Sequence, residues 1–187
     1  MRAIAFGNLS RSGKSTCQGF LSSFLRTGGS KINCQRASLA GPLKHHAHLL
    51  FGWAGLQPAE FYEEKCNEPL RDQLLPLLDK TPVEIWIEFG KFLQEIDPAI
   101  LYKQLKHTAP KCDLLIIPDL RRVAEAEAIK ADGGLVIRVD RPGAEAKSSI
   151  DAELINYDKW DGVIDNSKDL KHLHREVERI AKELLNV

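Results

Sequence analysis

The chain has 187 residues, 43% of them hydrophobic, with 26 basic side chains against 26 acidic ones. That is enough apolar chain for one domain with a sizeable core, which excludes a disordered chain and a mini-scaffold. A formal net charge of zero gives no global field toward nucleic acid or a membrane, so neither is expected as a partner and any anion site must be local. Apolar runs such as Leu114–Ile117 are far too short to cross a bilayer, and Met1–Gly7 has no signal-peptide core. A cytoplasmic location is expected, the host's if the source is viral.

Ala3–Phe6 has strand length and ends at Gly7, and polar residues then lead into an apolar-periodic run from about Lys14 to Arg26 that stops at Gly28-Gly29. The pattern predicts strand, loop and helix. A second, weaker strand is expected within Lys31–Ala37. From Pro42 to about Thr108 the pattern changes to helices punctuated by proline. There Thr81-Pro82-Val83-Glu84 combines a capping residue, a first-turn proline and the glutamate of a capping box, and Asp97-Pro98 starts the next helix in a similar way.

Asp113–Ile117, ending at Pro118-Asp119, suits a central strand buried on both faces. Val123–Ala131 reads as a helix stopped by Gly133-Gly134, and Leu135–Val139 as a strand. After a loop over Arg141–Lys147 a short helix is expected at Ser149–Tyr157, then a last strand at Gly162–Ile164. Leu170, Leu173, Val177, Ile180, Ala181 and Leu184 form one apolar stripe on a C-terminal helix and are expected in the core. Strand and helix alternating at both ends, around a helical insertion at about 42–108, predict a single α/β domain with about five parallel strands in three layers.

Cys17, Cys34, Cys66 and Cys112 contain no C-x-x-C pair, and of the clustered His45, His46 and His48 at most two share a helical face. Neither group has zinc-ligand spacing.

Chemistry enters at residues 8–15. Asn8-Leu9-Ser10-Arg11-Ser12-Gly13-Lys14-Ser15 follows G-x-x-x-x-G-K-[ST], with Asn8 in place of the first glycine and Gly7 just before it. In such a loop backbone N–H groups converge on phosphates, Gly13 permits the tight approach, Lys14 reaches the β- and γ-phosphates, and the Ser15 hydroxyl ligates Mg²⁺. G-K-[ST] alone arises by chance in roughly one chain in ten of this length. The weight therefore falls on its position between a strand and a helix. Asparagine tolerates left-handed backbone better than most residues, which makes Asn8 a workable substitute for glycine.

Asp119, at a strand end, is the candidate acid for the metal, since strand ends of a parallel sheet face the ligand crevice. Its alternative reading is a cap for the following helix. Arg121 and Arg122 can stabilise a transferring phosphoryl group, with at least one expected to point elsewhere, into a surface ion pair. Arg141 lies just beyond its strand and is better placed for phosphate than Arg138 inside it, its alternative reading being a solvated loop charge.

These pieces, in their order, resemble the phage-type deoxynucleoside monophosphate kinases, a branch of the P-loop kinases. The resemblance rests on Arg11-Ser12-Gly13-Lys14, Gly41-Pro42-Leu43-Lys44, Thr81-Pro82 through Phe89-Gly90, Ile96-Asp97-Pro98 and Asp119-Leu120-Arg121. It continues with Ala124–Ile129, Gly133–Pro142 and Val163-Ile164-Asp165-Asn166. It implies transfer of the γ-phosphoryl of ATP to a nucleoside monophosphate with Mg²⁺. ATP would be held by Ser10, Arg11, Ser12, Gly13, Lys14, Ser15 and Thr16, with Asp165-Asn166 near the adenine. Lys14, Asp119, Arg121 and Arg141 would form the catalytic centre, with Ser15 and Asp119 at the metal, and Lys44 would face the acceptor phosphate.

The chain departs from that family twice. Ser15 stands where the family commonly has Asp, and Lys91-Phe92-Leu93-Gln94 replaces the family's glycine-threonine and arginine signature. Within the insertion Lys44, Arg71 and Lys91 can counter a phosphate, and Phe61, Tyr62, Trp86, Phe89 and Tyr102 can stack a base or pack helices. Lys44, Arg71, Trp86 and Phe89 are the acceptor candidates, and the insertion is expected to close over the acceptor. The doubled arginine of Asp119-Leu120-Arg121-Arg122 also resembles animal-type phosphomevalonate kinase, and a nucleotide-binding module without turnover is a third reading. The oligomeric state stays open, a homodimer included.

Overall fold

The computed structural model describes residues 1–28, 31–146 and 152–185. In it β1 (Arg2–Gly7) is buried from Ala3 onward. Burial on both faces, rather than alternation, is what a strand enclosed by helices requires. It pairs in parallel with β3 (Leu114–Leu120) on one side and β4 (Leu135–Asp140) on the other. The edges are β2 (Cys34–Arg36) and β5 (Gly162–Asp165), giving one parallel sheet in the order β2-β3-β1-β4-β5. The α/β fold and the five parallel strands read from the sequence are thus present. Strand order reverses about β1, and in open parallel sheets that position places the ligand crevice at the strand's carboxyl end.

Residues two apart on the strands, Ile4 and Phe6, Leu114 and Ile116, Ile137 and Val139, meet Leu21 and Leu25 of α1 (Lys14–Thr27) in the core. On the same side Leu173, Val177, Ile180 and Ala181 come from the C-terminal helix, Leu170–Leu185. Ala3, Ala5, Leu115, Ile117 and Val136 are the alternate residues and are buried as well, as are Ala126 and Ile129 of the helix Val123–Ala131. Gly134 lets that helix approach β1, since a Cβ there would stand 2.8 Å from the Ala3 carbonyl oxygen.

The chain divides into two compact units, Met1–Ser38 with Thr108–Val187, and Leu39–His107. The second contains α2 (Ala40–Phe51), α3 (Ala59–Glu63), α4 (Pro82–Ile96) and most of α5 (Ile100–Thr108). The expected capping box starts α4: Glu84 N–H donates to Thr81 Oγ1 (3.2 Å) and Thr81 N–H to the Glu84 carboxylate (2.8 Å). At Gly90 a Cβ would stand 3.1 Å from Leu43, so the glycine permits the close contact of α2 with α4. Asp97 receives Ala99 N–H (2.9 Å), and α5 begins at Ile100. Further along the chain come α6 (Val123–Ala131) and α7 (Leu170–Leu185). Among the described residues no helix is long and apolar enough to cross a membrane.

Three expectations need correction. β3 does not end at Pro118 but runs to Leu120. β2 has already stopped opposite Ile116, and the register with β1 shifts between Ala5 and Gly7, so the missing proline N–H falls where the ladder is irregular. The helix expected at Ser149–Tyr157 is not continuous: residues 149–151 lie outside the described set, and 153–156 form turns closed by Ile155 N–H on Ala152 O and Tyr157 N–H on Leu154 O. Of the loop Arg141–Lys147 and the stop Gly28-Gly29, Lys147 and Gly29 also lie outside it. Leu170 is not core but exposed, because it is the first residue of α7 and precedes the turn that meets the sheet.

Candidate active site

The loop between β1 and α1 bends through three left-handed residues, Asn8 (φ 107°), Arg11 (φ 61°) and Gly13 (φ 102°). Left-handed residues are the means by which backbone nests turn N–H groups toward an anion. Gly13 is constrained twice, because a Cβ would lie 2.5 Å from Asn166 Nδ2. Asn8 adopts the conformation for which the motif normally uses glycine.

Lys14 is the first residue of α1, and its side chain folds back into the loop. Its ammonium donates to Asn8 O (2.9 Å) and to Leu9 O, and stands 3.4 Å from Ser12 Oγ. The residue is only 9% exposed. An exposed, freely solvated lysine is the natural reading of a loop motif; instead three oxygens of the loop replace its water. Ser12 is fully buried, whereas Ser15 is exposed at the first turn of α1. Cys17, one turn into α1, is fully buried and its thiol is pushed up to about 12 by loss of water, so it offers no thiolate.

Asp119 lies within the last residues of β3, where Ser38 Oγ donates to its Oδ2 (2.7 Å). The N-cap position of α6 belongs to Arg122, and the backbone there is held by other acids. Glu153 receives Val123 N–H (3.1 Å), and Glu125 receives Arg122 N–H (3.3 Å) and Arg121 N–H (3.4 Å). Glu125 is 3% exposed. Burial, reinforced by the Asp119 charge and opposed by those two N–H groups, pushes its carboxyl up to about 7. Arg122 pairs with Glu153 (3.4 Å), so this arginine is held in an ion pair, as expected for at least one of the two.

Arg141 Nη1 donates to Arg11 O (3.3 Å), whereas Arg138, inside β4, donates to Asp140 Oδ1 (2.6 Å). Both line a cavity of 380 Å³ with Asn8, Leu9, Pro142 and Asp165. Asn166 donates its side-chain amide to Ser12 O (2.8 Å), and its backbone N–H to Asp140 O (2.7 Å). Asp165 is held below the usual carboxylate range by Ser167 and His172. The sheet unit therefore brings the loop, Arg141 and Asn166 to one place, with Asp119 at the carboxyl end of the strand adjacent to β1.

The acceptor candidates lie in the helical unit. Lys44 of α2 stands 4.9 Å from the ring centroid of Trp86 of α4, whose edge meets Tyr62 at 5.3 Å. Trp86 is 8% exposed and its indole N–H is unpartnered. Phe89 and Arg71, the latter in the 3₁₀ turn Glu68–Asp72, are half-buried, and Lys91 is exposed. Sequence reasoning missed Asp140, Glu125, Gln18 and Ser38. Asp140 carried the same signal as Asp119, an acid at the end of an apolar strand. Gln18 donates to Ile116 O (2.8 Å) and accepts from Arg36 (3.2 Å), and nothing in its helical position announced that.

No protein-family model matches the chain, and no curated protein matches it either. Among solved structures the chain is similar to the Mycobacterium tuberculosis APS kinase in complex with AMPPNP and APS, at 15% identity and a TM-score of 0.53, covering 100% of this chain and 98% of that one. Shikimate kinase from Bacteroides thetaiotaomicron is matched at 12% identity and a TM-score of 0.46, over 100% of this chain and 99% of that one. Shikimate kinase from Aquifex aeolicus is matched at 17% and 0.43, over 98% and 96%. The likeness to the APS kinase shows that the chain shares the fold of that protein.

Proposed function

We propose that the chain is an ATP-dependent phosphotransferase that passes the γ-phosphoryl group to the phosphate of a nucleoside or deoxynucleoside monophosphate. The observation that carries the donor half is the loop at Asn8–Lys14, which bends through three left-handed residues and already draws a cation into it. An ammonium held by backbone oxygens is a pre-positioned countercharge for phosphate. The fold shared with an APS kinase seen with AMPPNP supports the same reading.

In this reading the loop N–H groups and Lys14 hold the β- and γ-phosphates, with Ser10, Arg11, Ser12, Gly13, Ser15 and Thr16 completing the cradle. Asn166 and the cavity beside Arg138 and Arg141 receive the nucleoside. The Ser15 hydroxyl, in the first turn of α1, and the Asp119 carboxylate, among the last residues of β3, are hard oxygen donors of the kind that fits Mg²⁺. The ion would supply neutralisation of phosphate charge there. Arg121 and Arg141 counter the charge on the transferring group, and an acceptor phosphate oxygen attacks in line as the bond to the ADP leaving oxygen breaks.

For the acceptor, the support is the order of sequence pieces resembling the phage-type kinases together with Lys44, Arg71, Trp86 and Phe89 in one helical unit. The doubled arginine that favoured a phosphomevalonate-type acceptor loses weight, since Arg122 is engaged by Glu153. A coupled ADP-release assay across the nucleoside and deoxynucleoside monophosphates and mevalonate 5-phosphate tests the proposal. Turnover with a nucleotide acceptor is expected. Turnover with mevalonate 5-phosphate alone overturns the acceptor class, and nucleotide binding without any turnover overturns the kinase reading.

A further inference from the structure

The phosphate loop of this chain begins with an asparagine where glycine is the rule, and that asparagine is 8% exposed. A buried side-chain amide must satisfy both its N–H groups or the structure loses stability. Asn8 satisfies both on one strand: its Nδ2 donates to Val139 O (3.1 Å) and to Asp140 Oδ1 (2.7 Å). Arg138 Nε holds the same carboxylate oxygen at 2.6 Å, and the Asp140 carbonyl receives Asn166 N–H at 2.7 Å. Asn166 in turn reaches Ser12 O at 2.8 Å. The loop is therefore tied at both ends, at residue 8 through the Asp140 side chain and at residue 12 through Asn166. Both ties meet at the end of β4.

We infer that Asp140 is a positioning residue: by clasping the Asn8 amide it holds the start of the phosphate loop in its left-handed, anion-ready form, and so compensates for the missing glycine. Glycine at position 8 would need no clasp, because it enters that conformation without a side chain to anchor. The role thus belongs to the pair, not to Asp140 alone. The inference rests on the reading of the loop as a nucleotide site, and it also makes a claim about the loop itself that needs no nucleotide.

The experiment is a double-mutant cycle on the full chain, with Asn8→Gly, Asp140→Ala and the double variant, plus Asp140→Asn, which keeps an oxygen acceptor for the Asn8 amide. Two readouts are taken: the dissociation constant of a fluorescent ATP analogue, and hydrogen exchange of the backbone at residues 8–14 without nucleotide. Asp140→Ala alone should weaken binding about tenfold, the scale of a buried amide left unpaired, and speed exchange in the loop. Asp140→Asn should lose less than half of that effect on the logarithmic scale, and Asp140→Ala should change either readout by less than about twofold once Asn8 is Gly. Equal losses in both backgrounds would overturn the clasp, since Asp140 would then act on the nucleotide directly or through Arg138; no loss in either would overturn it as well. Should the wild-type chain bind no ATP analogue, the nucleotide reading fails by itself, and the exchange cycle still decides the clasp.

Discussion

The two units carry opposite departures from a plain apolar core. Among the described residues, the buried polar or charged side chains Asn8, Ser12, Lys14, Gln18, Ser22 and Glu125 all lie in the sheet unit. In the helical unit the departure is the reverse, with Leu49, Leu50, Trp53, Leu77, Phe92 and Ile96 exposed. Burying polar groups costs stability unless each finds a partner, and here many of the partners are backbone atoms: Asn8 O and Leu9 O for Lys14, Val139 O for Asn8, Ile116 O for Gln18, and the N–H groups of Arg121 and Arg122 for Glu125. A site of that kind is a property of the chain path. The helical unit offers side chains instead: Lys44, Trp86 and Tyr62 are held by one another, and the same aromatic rings serve the packing of α2, α3 and α4.

That contrast is broken most severely at Lys14. Lys14→Ala removes the side-chain cation drawn among the loop oxygens Asn8 O and Leu9 O, and turnover should fall by about 10²-fold or more. The fold should survive, because the lysine supplies charge and not core packing, and circular dichroism alongside the ADP-release assay checks both parts. A folded variant with near-normal turnover would remove the reason for assigning the chemistry to the sheet unit. Asp119→Asn should come next, with kcat reduced about tenfold or more while ATP affinity changes by less than about twofold, the split expected of a group acting in the transition state. Equal losses in both constants would make Asp119 a ground-state ATP contact.

A smaller effect sharpens the other side. Arg71→Ala in the helical unit should raise the acceptor KM about tenfold, the loss of one charge-assisted hydrogen bond, and leave ATP binding unchanged. Steady-state kinetics with each substrate varied in turn decides it: a matching loss of ATP affinity would move Arg71 to the donor side, and no change in either would make it a solvated charge.

The same division explains how much could be read from the chain alone. The strand, loop and helix at residues 2–27, the capping box at Thr81 and, from Leu173 onward, the stripe on α7 depend on neighbours within a few residues, and each was legible. Pro118 misled because its place inside β3 depends on where β2 stops, some eighty residues earlier in the chain. Lys14 looked exposed because its burial comes from carbonyl oxygens, which carry no residue identity. Asp140 meets Asn8 across |i−j| of 132, and Glu153 meets Val123 across 30, so neither partnership has a local pattern. What the chain hides is the pairing of distant polar groups at the strand ends, which is also where the candidate site lies.

Glu125 tests whether that buried polarity is costly, and its effect should be the smallest. Loss of water, with help from the Asp119 charge, raises its carboxyl from 4.5 to about 7, against the N–H groups of Arg121 and Arg122 and the Arg122 charge. In the unfolded chain the carboxyl ionises near its ordinary value. Between pH 4.5 and 7 the native state therefore keeps a proton that the unfolded state has released, and stability falls as pH rises through that window. Below it both states are protonated and the contribution is complete; above it both are ionised and the loss is constant. Glu125→Gln keeps an oxygen for the two N–H groups but cannot ionise, so its melting temperature should exceed that of the wild type by a margin that grows from pH 5 to pH 7 and then levels, reaching a few degrees. Thermal melts of both proteins at pH 5, 6, 7 and 8 measure the margin. If the two curves run parallel, the carboxylate is already satisfied in its ionised form and the sheet unit holds this acid at no cost; a widening margin means that ionising it costs stability despite the two N–H groups of Arg121 and Arg122.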